Sequence, residues 1–134
     1  KHRRMRREKH FETIECYMDL KQVQVPPGST VLLECLSNLT ANELYDPAGA
    51  KEETVKAVLD GIRSLRAQAD TLILVSNEIF SDGVPYDASM LQYLSYLGRI
   101  NREAAALADR VTEVVYGIPV PIKREAAAGK GETM

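Results

Sequence analysis

The sequence predicts an α/β domain, a mainly parallel sheet with helices on its faces, and three observations predict it. Apolar runs that end in polar residues recur at Val31-Leu32-Leu33-Glu34-Cys35, at Thr71–Ser76 and at Thr112–Tyr116. Between them, Glu52–Ala69 and Asp87–Arg110 repeat their apolar residues at helical spacing. Turn residues mark the junctions, so strand and helix alternate along the chain. Strands that are apolar along their length suit burial on both faces, the habit of parallel sheets.

In chain order, residues Lys1 to Lys9 form a basic block of Lys1, Arg3, Arg4, Arg6, Arg7 and Lys9, interleaved with His2 and followed by His10. Such a block is either a solvated helix face or an arm that grips phosphate. Phe11–Glu15 alternates apolar and polar residues and reads as a short strand with Glu15 near its end. Tyr17–Val25 reads as a connection, and Pro26-Pro27-Gly28-Ser29 breaks the chain before the first long apolar run. Ser37–Ala50 carries an Asp46-Pro47-Ala48-Gly49 turn.

The first long helix places Val55, Val58, Leu59, Ile62, Leu65 and Ala69 on one stripe, opposite its charged residues. After the second run come Asn77 and Glu78, then a loop from Phe80 to Tyr86 with an Asp82-Gly83 turn signal. Asp87 is a good N-cap for a helix whose buried stripe is Leu94, Leu97, Ile100, Ala104, Leu107 and Val111. The third run is closed by Gly117-Ile118-Pro119, and residues 124–134 read as a disordered tail. Residues 1–123 therefore make one domain.

Composition bounds the function. The net charge of −2 argues against a general nucleic-acid binder, and no apolar run approaches the length of a membrane span. Cys16 and Cys35 are too few for a disulfide framework and lack metal-ligand spacing; reduced thiols in a cytoplasmic protein are the expectation.

The chemistry gathers at two places. Glu34 stands at the carboxyl end of a strand, where open α/β sheets bind ligands and nucleotide-binding sheets often keep the acid that manages Mg²⁺; it reads equally as a strand-end acid meeting water. His2 and Arg6 fall about one helical turn apart, and a neutral imidazole among guanidinium groups can attack phosphorus while the arginines hold the oxyanions. A frayed basic terminus is the other reading of that motif. No G-x-x-x-x-G-K-[ST] phosphate loop occurs in the sequence.

Several segments, in order and spacing, carry a resemblance. They are His2-Arg3-Arg4-Met5-Arg6, Phe11–Glu15, Val31–Asn38, Val75-Ser76-Asn77-Glu78, Leu97–Arg102, Ala106–Asp109 and Val114–Pro119. Together they resemble the adenosylcobinamide kinase / adenosylcobinamide-phosphate guanylyltransferase family of cobalamin biosynthesis, from His2 to Lys123. The resemblance implies a three-layer, P-loop NTPase-like sheet, ATP and GTP as substrates with Mg²⁺, and a homo-oligomer, a trimer.

It also implies that His2 becomes guanylylated, that Arg3, Arg4, Met5 and Arg6 line the GTP site, and that Glu15 and Glu34 belong to the same site. Two departures stand beside it. Phe80-Ser81-Asp82-Gly83 replaces the Gly-rich loop that many members carry after the Asn-Glu pair. Members also begin with a strand and phosphate loop ahead of the His motif, inside the sheet and beside the acid-bearing strand.

Without that strand a gap and two unpaired edges are expected. A partial copy of a longer protein is therefore the expectation, with no kinase activity in these 134 residues alone. The alternative is a non-catalytic nucleotide-binding or assembly module, a degenerate relative that has lost the loop.

Overall fold

The computed structural model describes residues 12–77 and 87–123. Their elements are β1 (Thr30–Glu34), α1 (Leu36–Tyr45), α2 (Thr54–Gln68), β2 (Thr71–Val75), α3 (Ala88–Leu107), β3 (Val111–Val115) and β4 (Ile118–Lys123). Single 3₁₀ turns at Leu20–Gln22 and Lys51–Glu53 precede β1 and α2. The described residues thus form an α/β arrangement whose first two strands are parallel.

The turn ahead of β1 follows from its residues. Ser29 N–H donates to the Pro26 carbonyl at 3.2 Å, and Gly28 takes φ 78°, which the third position of such a turn requires and glycine adopts without strain. β1 then pairs in parallel with β2 along its whole length, from Thr30 opposite Thr71 to Glu34 opposite Val75. No strand-wide gap separates the acid-bearing strand from β2.

Both strands alternate instead of being buried throughout. Leu33, Leu72 and Leu74 pack on the core, while Leu32 and Ile73 remain 49% and 48% exposed. The expectation of two covered faces therefore does not hold among the described residues. The physical reason is placement: the core residues that meet Leu33, Leu72 and Leu74 come from the helices and Leu20, all against that one face.

α2 buries the expected stripe of Val55, Val58, Leu59, Ile62 and Leu65, with Ala69 half-buried as its C-cap. Gln68 at its end ties down the connection before β1. Its Nε2 donates to the Val23 carbonyl at 3.1 Å, and its Oε1 accepts from Val25 N–H at 2.9 Å. α3 opens as the sequence indicated, with Asp87 Oδ1 accepting Met90 N–H at 2.8 Å, a cap worth about 1 kcal/mol. The helix ends at Leu107, where Ala108 turns extended, so Val111 belongs to β3 and not to the helix stripe.

Three expectations need correction. α1 stands where the sequence suggested only a connection with a turn; Leu36, Leu39, Thr40, Glu43 and Leu44 are its buried face. Residues 12–16 form no strand, because side chains of α1 and not a neighbouring strand hold the chain that follows them. The third apolar run does not join the parallel pair. β3 turns through Tyr116 (φ 51°) and Gly117 (φ 79°) into β4, an antiparallel partner that carries Pro119 and Pro121.

Two successive positive φ values give the hairpin turn whose twist matches its strands. This hairpin is largely exposed on both faces and is tied to α3 by Lys123, whose Nζ donates to the Ala105 and Ala106 carbonyls.

Candidate functional site

The carboxyl end of the β1–β2 pair is the first focus. Glu34 is the last residue of β1 and is exposed there. Cys35 caps α1, its carbonyl accepting Leu39 N–H at 3.2 Å. Its Sγ lies 2.8 Å from the buried Ser37 Oγ. Tyr93 of α3 donates its hydroxyl to the Ser37 carbonyl at 3.2 Å, so the start of α1 is anchored to α3. Burial first, and then the nearby Cys35 and Tyr45, push the Tyr93 hydroxyl above its ordinary pKa. At the end of β2, Ser76 Oγ donates to Asn101 Oδ1 at 2.6 Å, which ties this edge to α3 as well.

The second focus is an open cleft of about 770 Å³ on the other end of α1. Glu15, Tyr17, Asp19, Gln22, Glu43 and Gly49 are among its lining residues, and Glu34 is not. Asn42 and Glu43 hold its wall. Asn42 Nδ2 donates to the Tyr17 carbonyl at 3.0 Å, while Glu43 accepts Asp19 N–H at 2.7 Å and Ala50 N–H at 3.0 Å. Cys16 lies in the same wall with its Sγ 3.2 Å from the Met18 carbonyl. Burial, followed by the Asp19 and Glu43 carboxylates, raises its thiol pKa.

The two acids are thus placed on segments joined by α1, Glu34 just before its first turn and Glu15 on the segment held by its last turns. His2, Arg3, Arg4, Met5 and Arg6 lie outside the described residues, as do Phe11, Glu78, the Phe80–Tyr86 loop and the tail from residue 124. Asn42, Glu43 and Gly49 escaped the sequence reading as site residues. The signal for Glu43 was the spacing of the apolar residues of α1, which marks it as an inward-facing acid on the helix.

A magnesium site is to be judged on its donors. Among the described residues no three His, Cys, Asp or Glu side chains gather as a metal cage. Mg²⁺ in nucleotide sites commonly takes one or two carboxylates and completes its shell with water and phosphate, which one exposed strand-end acid satisfies. Glu34 fits that limited role. No described helix is long and apolar enough to cross a membrane.

Comparison with known proteins identifies the family. The family model for cobinamide kinase / cobinamide phosphate guanyltransferase matches residues 1–122. The chain is 32% identical to the bifunctional adenosylcobalamin biosynthesis protein CobU of Escherichia coli, the alignment covering 91% of this chain and 75% of that protein. With CobU of Salmonella typhimurium the identity is 30% over the same shares. With the bifunctional adenosylcobalamin biosynthesis protein CobP of Pseudomonas aeruginosa it is 31%, over 91% of this chain and 71% of that protein. A family match across nearly the whole sequence, and relatives of this identity over most of their length, place the chain: it belongs to the cobinamide kinase / cobinamide phosphate guanyltransferase family.

Proposed function

We propose that the protein carrying this chain phosphorylates adenosylcobinamide and then transfers GMP from GTP to adenosylcobinamide phosphate, in cobalamin biosynthesis. The observation that carries the reading is the family match over residues 1–122, a span within which the sequence holds both His2 and Glu34. The exposed placement of Glu34 at the carboxyl end of a parallel strand supports it, since such ends are where α/β sheets take their ligands. A P-loop NTPase-like sheet over residues 1–123 and a homo-oligomeric, trimeric assembly complete the proposal.

In the guanylyl step, an unprotonated His2 nitrogen attacks the α-phosphorus of GTP. The bond to the bridging oxygen breaks, pyrophosphate leaves, and the imidazole sheds its proton to give a phosphoramidate. A phosphate oxygen of adenosylcobinamide phosphate then displaces the imidazole, which regains a proton. Arg3, Arg4 and Arg6 stabilise the charge on the phosphoryl oxygens, with Met5 beside them, and Glu15 contributes to GTP binding. Glu34 would hold Mg²⁺, which when bound neutralises charge on the triphosphate. Splitting one displacement into two through a covalent histidine lowers each barrier.

The natural protein, given adenosylcobinamide, ATP or GTP and Mg²⁺, should convert it first to the phosphate and then to the GDP ester, both visible by mass. Nucleotide binding without either product would replace this reading with the non-catalytic module.

A further inference from the structure

Glu43 is a carboxylate only 4% exposed, on a helix that could have carried an apolar residue there. A buried carboxylate is costly unless its oxygens are satisfied. Here each oxygen accepts one backbone amide, Oε2 from Asp19 at 2.7 Å and Oε1 from Ala50 at 3.0 Å. Asn42, the residue before it, donates to the Tyr17 carbonyl at 3.0 Å. Leu20, the residue after Asp19, is buried against Gly61, where a Cβ would stand 2.5 Å from the Leu20 Cβ. The chain from Tyr17 to Leu20 is therefore pinned at successive points, just beyond Glu15.

The same helix starts at Leu36, immediately after the peptide that follows Glu34. From Leu36 to Glu43 it rises about 10 Å, at roughly 1.5 Å per residue. One helix, held at its start by Tyr93 and Ser37, thus carries the spacing between the two segments that bear the acids.

We propose that Glu43, together with Asn42, is a positioning residue for the nucleotide site, fixing where Glu15 stands relative to Glu34. This rests on the reading of those two acids as nucleotide-site residues. A carboxylate is required at position 43 because both of its oxygens must accept; glutamine offers one acceptor and turns two N–H groups toward a donor.

The test compares the natural protein with Glu43→Gln, Asn42→Ala, Glu15→Gln and the Glu15→Gln/Glu43→Gln pair, by GTP calorimetry, steady-state kinetics and melting. An amide left unmatched predicts a Kd and KM for GTP raised about tenfold in Glu43→Gln, and about threefold in Asn42→Ala, with kcat changed less. The Glu43→Gln effect should largely vanish in the Glu15→Gln background, the mark of residues acting through one another.

Wild-type GTP affinity in both Glu43→Gln and Asn42→Ala, whatever their melting temperatures, overturns the positioning role while Glu15→Gln still binds weakly. Wild-type affinity in Glu15→Gln overturns the site reading and the positioning role with it. Should Glu43→Gln not fold, Asn42→Ala decides between the outcomes by the same criterion.

Discussion

The Glu43 carboxylate accepts the backbone amide of Asp19 at 2.7 Å, joining α1 to a segment 24 residues away in the chain. The other oxygen of the same carboxylate accepts Ala50 N–H at 3.0 Å, at the far end of the turn that follows α1. Asp46 accepts Gly49 N–H at 2.8 Å through its carbonyl and Ala48 N–H at 2.8 Å through its side chain, folding the chain back on Glu43.

Gly49 is where this packing is least forgiving, because a Cβ there would collide with the Glu43 carbonyl oxygen and its neighbours. Gly49→Ala should therefore cost about 1–3 kcal/mol, since backbone and not a flexible side chain must move. Gly98→Ala is the control. Its Cβ would meet only the Arg102 guanidinium, at 3.5 Å, and replacing glycine inside a helix should gain about 0.5–1 kcal/mol. Denaturant midpoints for the two variants check the pair; equal effects would refute the close approach at Gly49.

Much of this architecture was legible. The buried stripe of α2, the cap at Asp87 and the breaker at Pro26–Ser29 each rest on local chemistry, and the structure has all three. The fate of the third apolar run was not legible, because Val111–Val115 looks the same whether it joins a parallel sheet or turns back through Tyr116 and Gly117. Gly117-Ile118-Pro119 read as the close of the third run, yet β4 follows as one of two exposed strands, where prolines are tolerated.

α1 was hidden by Asn38, Thr40 and Asn42, residues of modest helix propensity. Thr40 is in fact fully buried and donates to the Leu36 carbonyl at 2.7 Å, satisfying its hydroxyl within the helix. Of the candidate site, Glu34 could be read from its strand, while the partners of Glu43 lie too far away in sequence for any local pattern to reveal.

Cys16 supplies a pH-dependent observable. Burial, with Asp19 and Glu43 adding to it, favours the neutral thiol and raises its pKa. The folded thiol therefore ionises later than the unfolded one, so its contribution to stability is full below about pH 8.5, the ordinary thiol value. It declines as pH rises from there through the raised value. Alkylation of Cys16 by iodoacetamide at pH 8 should run slower than that of a free thiol and accelerate only above the ordinary thiol range. A rate at pH 8 matching a free thiol would contradict the raised pKa.

Glu34 should matter for nucleotide and little for folding. It is exposed at the end of β1, so Glu34→Gln keeps the shape, removes the charge and should leave the melting temperature nearly unchanged. Loss of one charge-assisted contact should raise the Kd for GTP in the presence of Mg²⁺ about tenfold in the natural protein. Unchanged binding in a calorimetric titration would remove Glu34 from the site.

The central claim is covalent transfer through His2, and the most direct measurement is the fate of α-labelled GTP. The natural protein should acquire label that is lost in acid and retained in alkali, the behaviour of a phosphoramidate. Labelling should weaken as pH falls through the imidazole range, because protonation removes the attacking lone pair. It should be absent in His2→Asn and normal in His10→Asn. Label that persists in His2→Asn but disappears in His10→Asn would move the nucleophile to His10, and label that persists in both would contradict the histidine mechanism altogether.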